Sequence, residues 1–381
     1  MKITQIRTVP VWGRRRRPFG TVTRTALGPA AVSDYTIVFV DTDAGISGVG
    51  EVSCVFKRRG ALLRHDLERG LIPALIDEDP SRIAHIIQKM DRTLDGVEEA
   101  KAALEMALWD IAGKVLGTPV YKLLGGKVRD RISLSYSVPF GEPEQMAEFA
   151  RERVRAGHRT IKVKVGNDPA TDIAAVRLVR EAIGSEIKLR VDGNMAWPNA
   201  KHAIRMVRAM EQWDLELVEQ PLPAHDLDGM AEVRRQIGVP LMADESVRNP
   251  RSAMEVIRRG AADIANVYVS EAGGLLNASR IFAMCEAAGI PCMIGSMPEF
   301  GIGTAAQIHL GVAMTNLGPD SDACGVLYHE EDLLKHPLKI ENGFSYAPEG
   351  PGLGIEIDMD VLERWRKSPA DSNLWTDKGT R

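Results

Sequence analysis

The sequence predicts an α/β protein built on a (β/α) barrel with an appendage. Three observations carry this. The chain has 381 residues, 44% of them hydrophobic, more than one ordinary core serves and enough for a barrel and a further unit. Eight apolar runs lie between residues 132 and 328, spaced by roughly 25 to 30 residues, the chain that one β-loop-α-loop unit consumes. Polar residues end nearly every run, and it is at the C-terminal strand ends that the loops of a barrel converge on one mouth.

The first 55 residues read as strands. Tyr35 to Val40 is rich in β-branched and aromatic residues, and Asp43-Ala44-Gly45 supplies a turn before a second short run. A helix is expected over Val97 to Leu116, where Leu104, Leu108, Ile111 and Val115 fall on one stripe. Gly117-Thr118-Pro119 stops it. After Gly125-Gly126 the strands expected are Ile132–Val138, Ile161–Val165, Leu189–Asp192, Leu215–Glu219, Leu241–Asp244, Ile264–Val269, Pro291–Ile294 and Cys324–Tyr328. From Lys335 a hairpin-like pattern rich in Gly and Pro, including Pro348 to Gly354, reads as chain crossing back to the N-terminal section. The polar stretch from about Ala370 is expected to fray. The division expected is 1–125, 126–330 and 331–381.

Composition narrows the function. With 26% charged residues the chain is neither disordered nor fibrous. Its 48 Lys and Arg against 52 Asp and Glu give a net charge of −4, without the cationic excess of a nucleic-acid or anionic-membrane binder. Cys54, Cys285, Cys292 and Cys324 form no C-x-x-C pair and suit buried thiols in a reducing cytosol. No secretory signal pattern and no bilayer-length apolar stretch is present. The expectation is a cytoplasmic protein acting on a small molecule. The Gly-rich pieces at 48–50, 301–303 and 352–354 lack a full dinucleotide-binding pattern and read as turns.

Lys164, Asp192, Glu219, Asp244 and Tyr268 stand at successive strand ends, 28, 27, 25 and 24 residues apart. Side chains in that phase point into one mouth. Three carboxylates converging there repel one another unless a divalent cation intervenes, and an all-oxygen set suits Mg²⁺ or Mn²⁺ better than Zn²⁺. Lys162 shares the inward face with Lys164, because side chains alternate along a strand. A dication and a second ammonium nearby favour an unprotonated Lys164, and hence a base, with Lys162 as its electrostatic partner.

These residues, with Ala107 to Lys114, Leu123 to Gly126, Val191-Asp-Gly-Asn194, Val218-Glu-Gln-Pro221, Ala243-Asp-Glu-Ser246 and Glu271-Ala-Gly-Gly274, resemble the enolase superfamily, specifically its muconate-lactonizing-enzyme subgroup. Sites of that superfamily use a Lys or His base with Mg²⁺. The resemblance implies a (β/α)7β TIM-like barrel with an α+β capping domain built from the N-terminal section and the C-terminal tail. It also implies abstraction of the proton α to a substrate carboxylate, giving a metal-stabilised enolate. Asp192, Glu219 and Asp244 match the metal-ligand positions and Lys164 the strand-two base. Asn194 and Glu245 match carboxylate-orienting or supporting positions, as Asn266 and Ser296 do by their place at the mouth, and Glu299 a group over the substrate. The loops near 14–24 and 52–58, with Arg17, Phe19 and Phe56, would close the mouth. Subgroup members are commonly homo-oligomers, which is the expectation here.

The chain departs from the subgroup at strand six, where Tyr268 replaces the usual second lysine. A phenol with a reference pKa of about 10 is a poor base, which weakens two-base epimerisation. Near strand eight Asp322-Ala323-Cys324 lacks the second acid of the dipeptide epimerases, and strand seven has no His. The leading expectation is therefore a one-base lyase of dehydratase type on a small hydroxy acid or amino-acid derivative. Cycloisomerisation follows, then epimerisation with Tyr268 as an unusual second acid/base. From another class, a lapsed enzyme would only bind a metal-chelated acid. Arg14 to Arg17 is a basic loop, solvated or aimed at a second anion on the substrate.

Overall fold

The computed structural model describes residues 1–20, 23–54 and 60–366. Its centre is a parallel sheet of seven strands that neighbour one another in chain order: Ser135–Val138, Thr160–Lys164, Lys188–Asp192, Leu215–Glu219, Leu241–Ala243, Ile264–Val267 and Cys292–Ile294. Helices such as Pro143–Arg155 and Pro169–Ile183 return the chain between them. A seventh helix, Gly301–Ala313, leads to a segment that closes the circle. That segment bridges Leu317 to Cys292 and Ser321 to Leu134, and the Asp322 N–H donates to Ile294 O at 2.8 Å.

Closure therefore falls earlier than the run expected as the eighth strand. Val326 to Tyr328 lies in a single 3-10 turn, Gly325–Tyr328. At the first strand, Ile132–Val138 divides in two. Arg131–Ser133 pairs with the tail strand Phe344–Tyr346, and only Ser135–Val138 joins the barrel. Leu241–Asp244 and Ile264–Val269 end one and two residues early, at Ala243 and Val267, so that Asp244 and Tyr268 sit on the loops at the mouth.

The N-terminal section is a three-stranded antiparallel sheet, Ile3–Arg14, Val32–Thr42 and Ser47–Val52, packed on helix Glu98–Leu116. Gly117 ends that helix in the left-handed conformation, φ 61°, which glycine adopts without strain. Leu104, Leu108 and Ile111 are buried as expected, but Val115 is 48% exposed. Leu116 in the last turn is exposed too.

Two acids of this section hold it to the barrel. Glu51 accepts from the N–H groups of Phe300 and Gly303 at 2.8 and 2.9 Å. Glu105 accepts from Leu275 and Leu276, each at 2.8 Å. Both carboxyls cap helix N-termini, where backbone donors are otherwise unsatisfied. The tail adds further ties: Gly352 bridges Pro119, Val120 N donates to Gly352 O at 2.9 Å, and Trp365 lies 5.1 Å from Phe300. Among the described residues no helix is long and apolar enough to cross a membrane. The stretch from Ala370 that was expected to fray lies outside the described residues.

Candidate active site and metal centre

The register of the parallel strands sets Lys164 opposite Asp192 and Asp192 opposite Glu219, one level at the C-terminal rim. Asp244 joins them, and carboxylate oxygens of Asp192, Glu219 and Asp244 come within 4.8 Å of one another. All three side chains are buried. Burial, then the neighbouring acids, pushes the Asp244 carboxyl well up from its ordinary range, and Glu219 is raised for the same reasons against the pull of Lys162.

Two lysines answer part of this charge. Lys162 is 2% exposed and donates to Glu219 at 2.9 Å and Asp322 at 2.5 Å. Burial opposes its charge, yet Asp322, Glu219 and Asp192 together hold the ammonium well above its usual pKa. Lys164 donates to Asp192. Asp192, Glu219 and Asp322, each in contact with a lysine ammonium, together with the adjoining Asp244 thus outnumber the two cations. A buried excess of negative charge with hard oxygen donors is a setting that a divalent cation fits. The buried Oδ1 atoms of Asn194 and Asn266, which have no hydrogen-bond partner, add neutral oxygens beside it.

The backbone around the acids is strained. Asn194 and Met195 follow Asp192 with φ of 41° and 65°, and Gln220 follows Glu219 with φ 28°. Such conformations persist where the surroundings over-determine them, and they cluster at functional sites. Here they turn the chain back over the acids: Asn194 N donates to Asp192 at 2.8 Å, and its Nδ2 reaches Glu245 at 3.3 Å.

Tyr268 closes the cluster, its hydroxyl donating to Asp244 at 3.2 Å. Burial first, then Asp244 and Glu219, raises the phenol far above its usual pKa. Asn266 donates to Glu219 at 3.2 Å. A cavity of about 820 Å³ opens beside these groups, lined by Arg15, Arg17, Lys162, Lys164, Tyr268 and Ser296 among others. A smaller one adjoins Asn194, Asp244 and Glu245. Lys164, Tyr268 and Ser296 line both and mark their junction.

Two expected residues stand elsewhere. Glu299 is buried beneath the turn it was expected to project from, accepting from Ser296 Oγ at 2.6 Å and Met297 N at 3.1 Å, and lines neither cavity. Burial raises its carboxyl to about 6. Its carboxylate fixes the loop that presents Ser296. Phe19 packs edge-on against Phe149 at 5.6 Å instead of lining the cavity. Phe56 lies outside the described residues. In the sequence Asp322 stands out only as part of a broken motif; its partnership with Lys162 and Ser135 places it inside the site.

Comparison with known proteins agrees with this architecture. Residues 3–125 match the model of the mandelate racemase/muconate lactonizing enzyme N-terminal domain, and residues 145–361 that of the enolase C-terminal domain-like family. N-succinyl-L-Arg/Lys racemase of Bacillus cereus is 34% identical over 95% of this chain and 97% of its own. Its crystal structure superposes with a TM-score of 0.92 over 97% of this chain and 99% of that one. Muconate cycloisomerase 1 of Rhodococcus opacus is 33% identical over 93% of this chain and 95% of its own. Dipeptide epimerase of Enterococcus faecalis, solved with Mg and the dipeptide L-Leu-L-Tyr, is 33% identical with a TM-score of 0.88, covering 93% of this chain and all of that one. The chain thus belongs to the mandelate racemase/muconate lactonizing enzyme family of the enolase superfamily.

Proposed function

We propose that this protein is an Mg²⁺-dependent enzyme, with Mn²⁺ as a substitute, that removes the proton α to the carboxylate of a small acid and then most readily expels a β-leaving group. The observation that carries the reading is the place of Lys164, at the junction of the two cavities and against Asp192 of the three-acid cluster. Held by Asp192, Glu219 and Asp244, the ion supplies a Lewis acid for the substrate carboxylate.

The chain's own groups divide the remaining work. Lys164 takes the α-proton at Nζ. Lys162 stays charged and holds Glu219 and Asp322 in place. Tyr268 offers a neutral hydroxyl, suited to giving a proton to a departing hydroxide so that it leaves as water. Asn194, Glu245, Asn266 and Ser296 orient the acids and the substrate around them. Residues 1–125 and 331–381 cap the barrel of 126–330, and Arg17 belongs to the loop that faces the cavity. The reading includes a homo-oligomer in the cytoplasm.

Cycloisomerisation is the second reading, favoured by the likeness to muconate cycloisomerases. Epimerisation requires a second group that takes and returns a proton, a role that would fall to Tyr268. Incubation with hydroxy acids, amino-acid derivatives and muconates in D₂O with Mg²⁺ separates them. Loss of water with deuterium-labelled product marks the lyase, a ring product that keeps every substrate atom and gains one deuterium in place of the proton added at the α-carbon marks the cycloisomerase, and inverted α-configuration the epimerase. Absence of exchange with every acid tested leaves only a binder and overturns the proposal.

A further inference from the structure

Arg248 joins three parts of the molecule beside the three-acid cluster. Its Nη2 lies 3.0 Å from Glu99 Oε1 and 3.8 Å from Glu271 Oε1. Glu99 belongs to the first turn of Glu98–Leu116, the helix of the capping section. Glu271 belongs to the short helix Val269–Ala272 that follows Tyr268. Both acids are buried, at 2% and 1% exposure. Burial opposes the charge of Arg248, yet Glu271, Glu99 and Glu98 hold the guanidinium above its usual pKa.

Each attachment leads to the cluster by a short, fixed path. Arg248 stands four residues after Asp244, and the chain between them is one tight turn, with Val247 N donating to Asp244 O at 2.8 Å. Gln220 Oε1 accepts from Asp244 N at 2.9 Å and from Ser246 N at 3.2 Å. Beyond the turn, Ser252 Oγ accepts from Arg248 N at 2.9 Å, and the capping box of Asn249 and Ser252 starts the helix Pro250–Arg259. On the strand-six side, Ala272 N donates to Tyr268 O at 3.0 Å, so Glu271 is fixed relative to the residue whose hydroxyl meets Asp244. Glu99, Glu271, Asp244, Asn194 and Lys164 line the same small cavity. A guanidinium carries several donors in one rigid fork, which is what serving two carboxylates from two separate elements requires.

We propose that Arg248 is a positioning residue: by joining Glu99 of the cap to Glu271 of the strand-six loop it fixes the turn that carries Asp244, and so couples docking of the cap to binding of the divalent ion. The inference rests on the metal centre of the proposed function. By linkage the coupling is reciprocal, the seated cap favouring the ion and the ion favouring the seated cap.

Mg²⁺ alone, titrated calorimetrically into the full chain, is the probe. Arg248→Met binds it at least about fivefold more weakly than wild type, and Glu99→Gln, which breaks the same link from the cap, weakens it alike. The double variant binds no more weakly than either single one, because the link is broken only once. Arg248→Lys, which keeps the charge and loses the fork, falls between wild type and Arg248→Met. Charge alone predicts otherwise: deleting a cation beside the acids tightens Mg²⁺ binding, and Arg248→Lys changes nothing. A purely structural arginine lowers the melting temperature and leaves the Mg²⁺ affinity as it was. Tighter or unchanged binding in Arg248→Met overturns the proposal; should that variant fail to fold, wild-type affinity in both Glu99→Gln and Arg248→Lys does so. A wild type that binds no Mg²⁺ removes the metal centre and this inference together, whereas Arg248-dependent binding without α-proton exchange sinks the catalytic reading and leaves the positioning role standing.

Discussion

Replacing Lys162 by methionine removes one cation and little volume, and the consequence can be worked from its contacts. The ammonium is 2% exposed and holds Glu219 at 2.9 Å and Asp322 at 2.5 Å. Losing one partner of a buried ion pair costs about 3–5 kcal/mol, because the remaining charge has nothing to replace it. A chain of this length loses stability near its midpoint by about 0.8 kcal/mol per degree. In EDTA the melting temperature of Lys162→Met should therefore fall by about 4–6 °C. Adding Asp322→Asn to that variant recovers about half the loss, since Glu219 still lacks its cation while Asp322 no longer needs one. Saturating Mg²⁺ shrinks the loss further by supplying positive charge to the same acids. Thermal unfolding of the four chains of the double-mutant cycle is the assay. A change below about 1 °C in the single variant, or strictly additive losses in the double, would refute the electrostatic account of the site.

Other consequences are measured separately. Mg²⁺ at a hundred times its Kd should raise the melting temperature by about 3 °C, from roughly 2.7 kcal/mol of linkage; Asp244→Asn abolishes this rise, and an undiminished rise in that variant argues against the three-acid centre. Tyr268→Phe loses the hydroxyl that donates to Asp244, so elimination should slow by about 10²–10⁴ while α-deuterium exchange persists; equal losses in both would deny Tyr268 its donor role. His309 accepts from Tyr121 N at 3.3 Å and bonds Leu353 O at 3.0 Å, and burial lowers its pKa to about 4. The unfolded chain, with imidazole near 6.5, binds the extra proton first, so the stability contributed by His309 is full above about pH 6.5 and lost as pH falls towards 4, on the order of 3 kcal/mol. Chemical denaturation between pH 4.5 and 7 should show a shallower acid limb in His309→Asn, and an unchanged slope would contradict this.

The strand-end acids were legible because two signals coincided, an apolar β-run and a carboxylate at its end, at the repeat of a βα unit. The closing segment carried neither signal. Leu317-Gly-Pro-Asp-Ser-Asp322 contains breakers and no β-branched run, and it completes the circle through isolated bridges and a few backbone hydrogen bonds. The stretch Val326-Leu-Tyr328 looks like a strand but is wound into a 3-10 turn. Glu299 misled for a related reason: its distance from the seventh strand was readable, but not its fold back under Met297. The basic run Arg14 to Arg17 reads as a single loop, solvated or aimed at a second anion as a whole. In fact the alternation of the first strand carries past its end, leaving Arg14 exposed and turning Arg15 inward, a difference that composition cannot register.

Wash-in of deuterium at the α-carbon, followed by mass or proton resonance for wild type and Lys164→Ala in D₂O with Mg²⁺, bears most directly on the central claim. The acid used is whichever of the panel the wild type exchanges. Exchange in Lys164→Ala should fall at least about a hundredfold while the Mg²⁺-dependent rise in melting temperature is kept. Exchange at the wild-type rate in Lys164→Ala would contradict the assignment of Lys164 as the base.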